Sequence, residues 1–268
     1  NGDLRLRIVA GYEGGIPYGI YPRLLMSWVA TEAVRKQSPV IELGDSLSAF
    51  LRDVLNLRSD GGGPRGSGTR VVEQMKRLFG SLVTASYQGS QEHRGFVLKN
   101  VLIADELELH DQEMKKFTQN ICAQTDEQTL WTPQARDEAG KWRSQVRLSN
   151  KFFEECITNP VPIDLRAYKA LRNSPLAMDV YTWLTYRMSY TQRRTRPIRW
   201  ESLMMQFGSG YNTSVEQAVR DFKKAFLRAL KTVLVVYPQA GVEVSDSGLL
   251  LLPSRPHVLP GNAQQALF

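Results

Sequence analysis

An α+β fold in two tandem domains is what this sequence predicts, on three observations. Its 268 residues exceed the usual span of one domain. The order helix, strand, helix, helix, hairpin can be traced along it twice. Between the two tracings the composition turns acidic: Ile103 to Glu138 holds nine acids and three bases, whereas Arg187 to Lys231 holds ten bases and three acids. That element order is the order of a winged helix. The expectation is therefore an N-terminal winged-helix domain over 1–103, an acidic insertion or linker over 104–149, and a C-terminal winged-helix domain over 150–268.

The elements follow from local pattern. Leu4-Arg5-Leu6-Arg7-Ile8-Val9 alternates as a half-buried strand does. After a turn-rich stretch at 14–19, Pro22 stands where a helix can begin, and Leu24, Leu25, Trp28, Val29, Ala33 and Val34 form its apolar stripe as far as Pro39. Val40 to Leu43 reads as a short strand. Asp45 or Ser46 caps a helix through Leu47, Phe50, Leu51, Val54 and Leu55, and a glycine-rich stretch follows at 61–68. A helix over 69–82 leads into strand-like runs at 82–87 and 95–103, whose connecting loop 87–95 is a candidate wing. In the acidic middle, 105–132 has a helical reading and 142–148 alternates as a strand. The second tracing has a helix at 175–190, a basic strand at 196–199, a short helix at 200–207 and a long helix at 215–235 capped by Ser214. It closes with a hairpin of 242–244 and 249–252, whose turn 245–248 is the second candidate wing.

Composition excludes several classes. Hydrophobic residues at 42% and charged residues at 23% are ordinary for a soluble globular protein. No apolar run approaches the roughly 18–20 residues of a membrane span. Cys122 and Cys156 form no disulfide framework, so a cytoplasmic location is expected. The opening Asn1-Gly2-Asp3 lacks both Met and the pattern of a signal peptide, and a segment upstream of it is expected. Gly61 to Gly66 matches GxGxxG in letters, but it follows a helix and contains Pro64. There is no GxxxxGK[ST]. His93, His110 and His257 are scattered with no HxH or HExxH, and each reads as a surface or satisfied residue. Trp28, Trp183 and Trp200 occupy apolar positions and read as core. The expectation is a protein that is not an enzyme, with no metal and no cofactor.

Charge is more informative. The net charge is +7, and its clustering makes a polyanion the leading partner, with a merely solvated surface as the alternative. On helix 69–82, Val71, Val72, Met75, Leu78, Phe79 and Leu82 fall on one face, and Thr69, Arg70, Glu73, Lys76 and Arg77 on the other. On helix 215–235, Val215, Val219, Phe222, Phe226, Leu230 and Val233 make the buried stripe. Gln217, Arg220, Lys224, Arg228 and Lys231 lie opposite within a narrow arc. Arg can grip guanine bidentately, Gln can read adenine and Lys can pair with phosphate, so this arc is the candidate reading face for duplex DNA. A solvated or protein-facing basic surface is its alternative. Arg193, Arg194, Arg196 and Arg199 form a candidate phosphate-contacting cluster, and Arg94, Asn212 and Thr213 complete the candidate DNA-binding set from the neighbouring loops.

Three groups of motifs, in order, resemble a known family. They are Gly15-Ile16-Pro17-Tyr18-Gly19 with Pro22-Arg23-Leu24-Leu25 and Thr31-Glu32-Ala33; Asp179 to Arg187 with Trp200-Glu201 and Gln206-Phe207-Gly208; and Phe222 to Leu227 with Val236-Tyr237-Pro238, Gly248-Leu249 and Pro253-Ser254-Arg255-Pro256. Together they resemble plasmid-encoded RepA replication initiators. The resemblance implies a bacterial theta-type initiator that binds repeated origin sites (iterons), helps to open an AT-rich stretch and recruits the host replicative helicase alongside the host initiator. It also implies tandem winged helices and a homodimer that autorepresses, as against a monomer that initiates. The alternative reading is a winged-helix repressor that binds an operator and melts nothing. A third is an interaction protein whose basic face docks an acidic partner.

Overall fold

The computed structural model describes residues 4–44, 49–56, 66–88, 96–109, 144–208, 210–211 and 215–258. The chain divides into two compact units. The first comprises Arg7–Thr84 with Asn100–Ile157, and the second comprises Thr158–Phe268 with Asn1–Leu6 and Ala85–Lys99.

In the first unit, helix α1 (Ile20–Lys36) buries Leu24, Leu25, Val29 and Ala33, one stripe at helical spacing. It ends at Gln37, which adopts a left-handed conformation and donates its N–H to the Ala33 carbonyl. Strand β2 (Val40–Glu42) follows, and then a single π-helical turn over Phe50–Val54. Phe50 and Leu51 are buried there, and Trp28 meets Phe50 edge-on at 4.9 Å. Helix α2 (Ser67–Phe79) buries Val71, Val72, Met75, Leu78 and Phe79. It stops short of the expected Leu82 because Gly80 closes it and the Ser81 hydroxyl donates to the Arg77 carbonyl at 2.6 Å. Leu82 belongs instead to β3 (Ser81–Gln88).

The hairpin beside β2 is not the one the sequence predicts. β3, β4 (Phe96–Leu102) and β1 (Leu4–Ala10) make a sheet of their own, ordered β1-β3-β4. β2 is joined by β6 (Gln145–Leu148) and β5 (Ala104–Glu108), antiparallel and ordered β2-β6-β5. The pairing Ile41↔Val146 explains the choice, since Ile41, Val146 and Leu148 are all fully buried on one face. The ends of the acidic stretch are thus strands of one sheet, and Asp105 lies in β5 rather than in a helix. The residues between them, 110–143, lie outside those described, as do the expected caps Asp45 and Ser46, residues 61–65 of the 61–68 glycine stretch and most of the 87–95 loop. Helix α3 (Asn150–Thr158) follows β6.

The second unit begins with α4 (Leu165–Ala170), whose N-terminus is capped by Asp164 accepting from the N–H groups of Arg166 and Ala167. Neither α3 nor α4 was among the elements the pattern predicts. Helix α5 (Pro175–Tyr190) starts with a Ser174 cap and Pro175 in its first turn. Then come β7 (Ile198–Arg199), α6 (Trp200–Phe207), α7 (Glu216–Val236), β8 (Val242–Val244) and β9 (Gly248–Leu251), with sheet order β7-β9-β8. Val215 sits just ahead of α7 in extended conformation and is 46% exposed, so it is not part of the buried stripe as expected. Phe222 and Phe226 are buried with Trp200, and the Phe226 ring lies 5.6 Å from Phe207 and 6.1 Å from Trp200.

Gly248 lets β7 close onto β9: a Cβ there would stand 2.1 Å from the Ile198 carbonyl oxygen. Gly248→Ala is therefore expected to lower stability by about 1–3 kcal/mol, the range for overpacking, in a denaturant titration.

His257 is a satisfied, partly buried residue. The Asp164 N–H donates to the Tyr181 hydroxyl at 3.1 Å, and that hydroxyl pairs with His257 Nδ1 at 2.6 Å. The ring stacks on Tyr237 at 4.6 Å. The Tyr181 hydroxyl and His257 Nδ1 share one hydrogen bond, whose direction follows the ring's tautomer. Burial pulls the His257 pKa below its ordinary value, against the raising effect of Asp164. A protonated His257 is thus favoured in the unfolded chain, and stability should be full above its ordinary pKa of about 6.5 and fall as pH drops through it. His257→Gln should flatten that limb of a stability–pH profile.

Candidate nucleic-acid interface

Helix α7 places Gln217, Arg220, Lys224, Arg228 and Lys231 all on its exposed side, opposite Phe222, Phe226, Ala229, Leu230 and Val233. The arc is not uniform. At its N-terminal end Arg220 is ion-paired with Glu216, and Gln217 donates to Asp221 at 3.0 Å. Lys223, outside the arc, lies over the Trp200 ring at 5.0 Å. Lys224, Arg228 and Lys231 are exposed and have no ion-pair partner among the described residues. Like charges at i,i+4 oppose one another by about 0.2–0.5 kcal/mol in a helix, so Lys224 and Arg228 are relieved when an anion lies against them. The chemistry available to the arc is phosphate neutralisation and guanine contact.

Arg193, Arg194, Arg196 and Arg199 are all exposed on the approach to β7 and in it. The segment is fixed at Thr195, whose N–H donates to the Leu251 carbonyl and whose hydroxyl accepts from the Leu251 N–H, both at 3.0 Å. Arg194 is held by Glu243 at 2.6 Å, whereas Arg193, Arg196 and Arg199 have no ion-pair partner among the described residues. The turn between β8 and β9 is tied down as well: Ser245 N–H donates to Gly248, and the Trp200 indole donates to the Ser245 carbonyl at 3.3 Å.

On α2 the picture differs. Arg70 is exposed, while Glu73, Lys76 and Arg77 are partly covered by Tyr12 and Tyr18 of loop 11–19. Gly11 makes that approach possible: its N–H donates to the Gly80 carbonyl at 2.9 Å, and a Cβ would stand 2.2 Å from the same oxygen. Arg77 Nε donates to Glu73 Oε1 at 2.9 Å, and its guanidinium lies 5.1 Å from the centre of the Tyr18 ring. Tyr12 donates to Glu73, and the Tyr18 N–H donates to the buried Gln74 at 2.9 Å. An open groove remains at the N-terminal half, lined by Tyr18, Tyr21, Thr69, Arg70 and Glu73. The aromatic residues Tyr12 and Tyr18 are the ones the sequence reading missed. Their signal was the run of glycines around them, which marks close backbone approach as readily as it marks a turn.

The candidate residues on α7 and near β7 belong to the second unit, and those on α2 to the first. Arg94, Asn212 and Thr213 lie outside the described residues. No helix among the described residues is long and apolar enough to cross a membrane.

The sequence pattern of the family described as plasmid encoded RepA protein matches this chain at residues 16–113 and again at 97–202. The matched range covers well over half of the chain, takes in α1, α2, α5 and β7, and ends before α7. Two solved structures of RctB domains 2 and 3 resemble it weakly. One is 13% identical with a TM-score of 0.43, over 91% of this chain and 80% of that one. The other is 11% identical with a TM-score of 0.49, over 94% of this chain and 92% of that one. Likeness at that level carries no argument about function. No curated protein matches the chain.

Proposed function

This chain belongs to the family of plasmid-encoded RepA proteins, which are replication initiators, and we propose that it binds repeated sites in duplex origin DNA through two winged helices. The exposed arc of α7 carries this reading. Lys224, Arg228 and Lys231 line one side of a helix with no acidic partner among the described residues, the surface that a polyphosphate backbone neutralises with release of counterions. Strand order supports the winged-helix assignment. β2 follows α1 and β7 follows α5, and each pairs with the last strand of its sheet, β6 and β9, whose other neighbour is the strand before it, β5 and β8.

In this reading α7 lies in the major groove, with Arg220 and Gln217 toward base edges and Lys224, Arg228 and Lys231 toward phosphates. Arg193, Arg196 and Arg199 grip the flanking backbone, and the Ser245–Ser247 turn is the wing. α2 is the second reader. The chain does no covalent chemistry and needs no cofactor. Bending of the bound origin promotes opening of an adjacent AT-rich stretch, onto which the host helicase is recruited, and the chain forms a homodimer in its repressing state. Permanganate footprinting of a supercoiled plasmid carrying its origin tests this. Unstacked thymines beside the bound sites are expected. A footprint without them would reduce the protein to a repressor that melts nothing.

A further inference from the structure

Glu73 is an unusual residue to find on a helix face meant for DNA, because phosphates repel a carboxylate. Its surroundings account for it. Arg77 Nε donates to Oε1 at 2.9 Å and Tyr12 donates to Oε2 at 3.3 Å, so both oxygens are oriented and the charge is offset. The side chain still keeps 35% of its surface exposed, beside Arg70 on the open groove of α2. The loop that brings Tyr12 is seated closely: a Cβ on Gly14 would stand 2.5 Å from Glu73 Oε1. Burial first, and then the Glu73 carboxylate, push the Tyr12 hydroxyl above its ordinary range.

A held carboxylate can only accept hydrogen bonds. In the major groove cytosine offers its N4 amino group, while adenine sets an acceptor nitrogen beside its own amino group. We propose that Glu73 reads the amino group of a cytosine, and that Tyr12 is a positioning residue for that contact, acting through the carboxylate it orients. This rests on the duplex-binding reading above.

The test is selection of preferred duplexes from a randomised library by the full chain, scored as base preference at each position. Wild type, Tyr12→Phe and Glu73→Gln are compared. Wild type is expected to favour cytosine at one position by roughly tenfold or more, the range of a good direct contact. Glu73→Gln should lose that preference and shift it toward adenine, which an amide matches on both edge groups. Tyr12→Phe keeps the ring under Lys76 but loses the hydroxyl. It should lower the preference about threefold at that position alone. Glu73→Gln with an unchanged profile, or with equal loss at every position, would overturn the base contact. A Tyr12→Phe profile identical to wild type would overturn the positioning role. A wild-type chain that selects no duplex would remove the initiator reading, and this inference with it.

Discussion

Lys224→Ala combined with Arg228→Ala is expected to weaken binding to the origin duplex roughly 10- to 100-fold at moderate salt, and to lower the slope of log affinity against log salt by about 2. Both residues are exposed on α7 and neither has an ion-pair partner among the described residues. Removing them therefore breaks no ion pair among the described residues, and alanine is the better helix former. Thermal stability should stay within about 0.5 kcal/mol of wild type, as for a surface change. The same pair of substitutions at Arg220 and Lys224 is a less clean test, because Arg220 is paired with Glu216, which would be left as an uncompensated acid on the reading face. A filter-binding series across salt concentrations gives both numbers. Unchanged affinity in the double variant would mean that the arc faces solvent.

Phe226→Ala should do the opposite, removing the fold first and binding only as a consequence. The side chain is fully buried and its ring meets Trp200, Phe207 and Phe222. Truncation of such a phenylalanine costs about 3–5 kcal/mol, a large share of the 5–15 kcal/mol that holds a typical domain together. A drop in melting temperature of more than about 10 °C, followed by circular dichroism, is the expected result. Neighbouring rings would otherwise have to collapse into the cavity, and a shift of only a degree or two would show that they do. Side by side, the two variants separate a surface that binds from a core that supports it.

Much of the second unit was legible in the sequence. α5, α6, α7 and the β8–β9 hairpin lie within a residue or two of where periodicity, glycines and prolines put them, because each is a local pattern. The face of α7 could be read for the same reason: a long helix with phenylalanines at i and i+4 has one possible core side. The first unit was less legible. Which strand pairs with β2 depends on Val146 and Leu148, more than a hundred residues away in sequence, and no local signal distinguishes that hairpin from β3–β4. α2 illustrates a different limit. Its polar face is correct as a helical projection, but periodicity cannot show that loop 11–19 folds back onto Glu73 and Arg77. Nor can it show that Glu216 and Asp221, adjacent to the arc, engage Arg220 and Gln217.

The central claim is that the basic arc of α7 belongs to a chain that recognises its own origin in duplex form. A salt titration of the full chain on a fragment of its plasmid's origin, against a random duplex of equal length, tests it most directly. The account predicts a steep linear fall of log affinity with log salt, and a preference for the origin of about 10³-fold or greater at physiological salt. Equal, weak affinity for both fragments would contradict it, leaving a basic surface that attracts any nucleic acid.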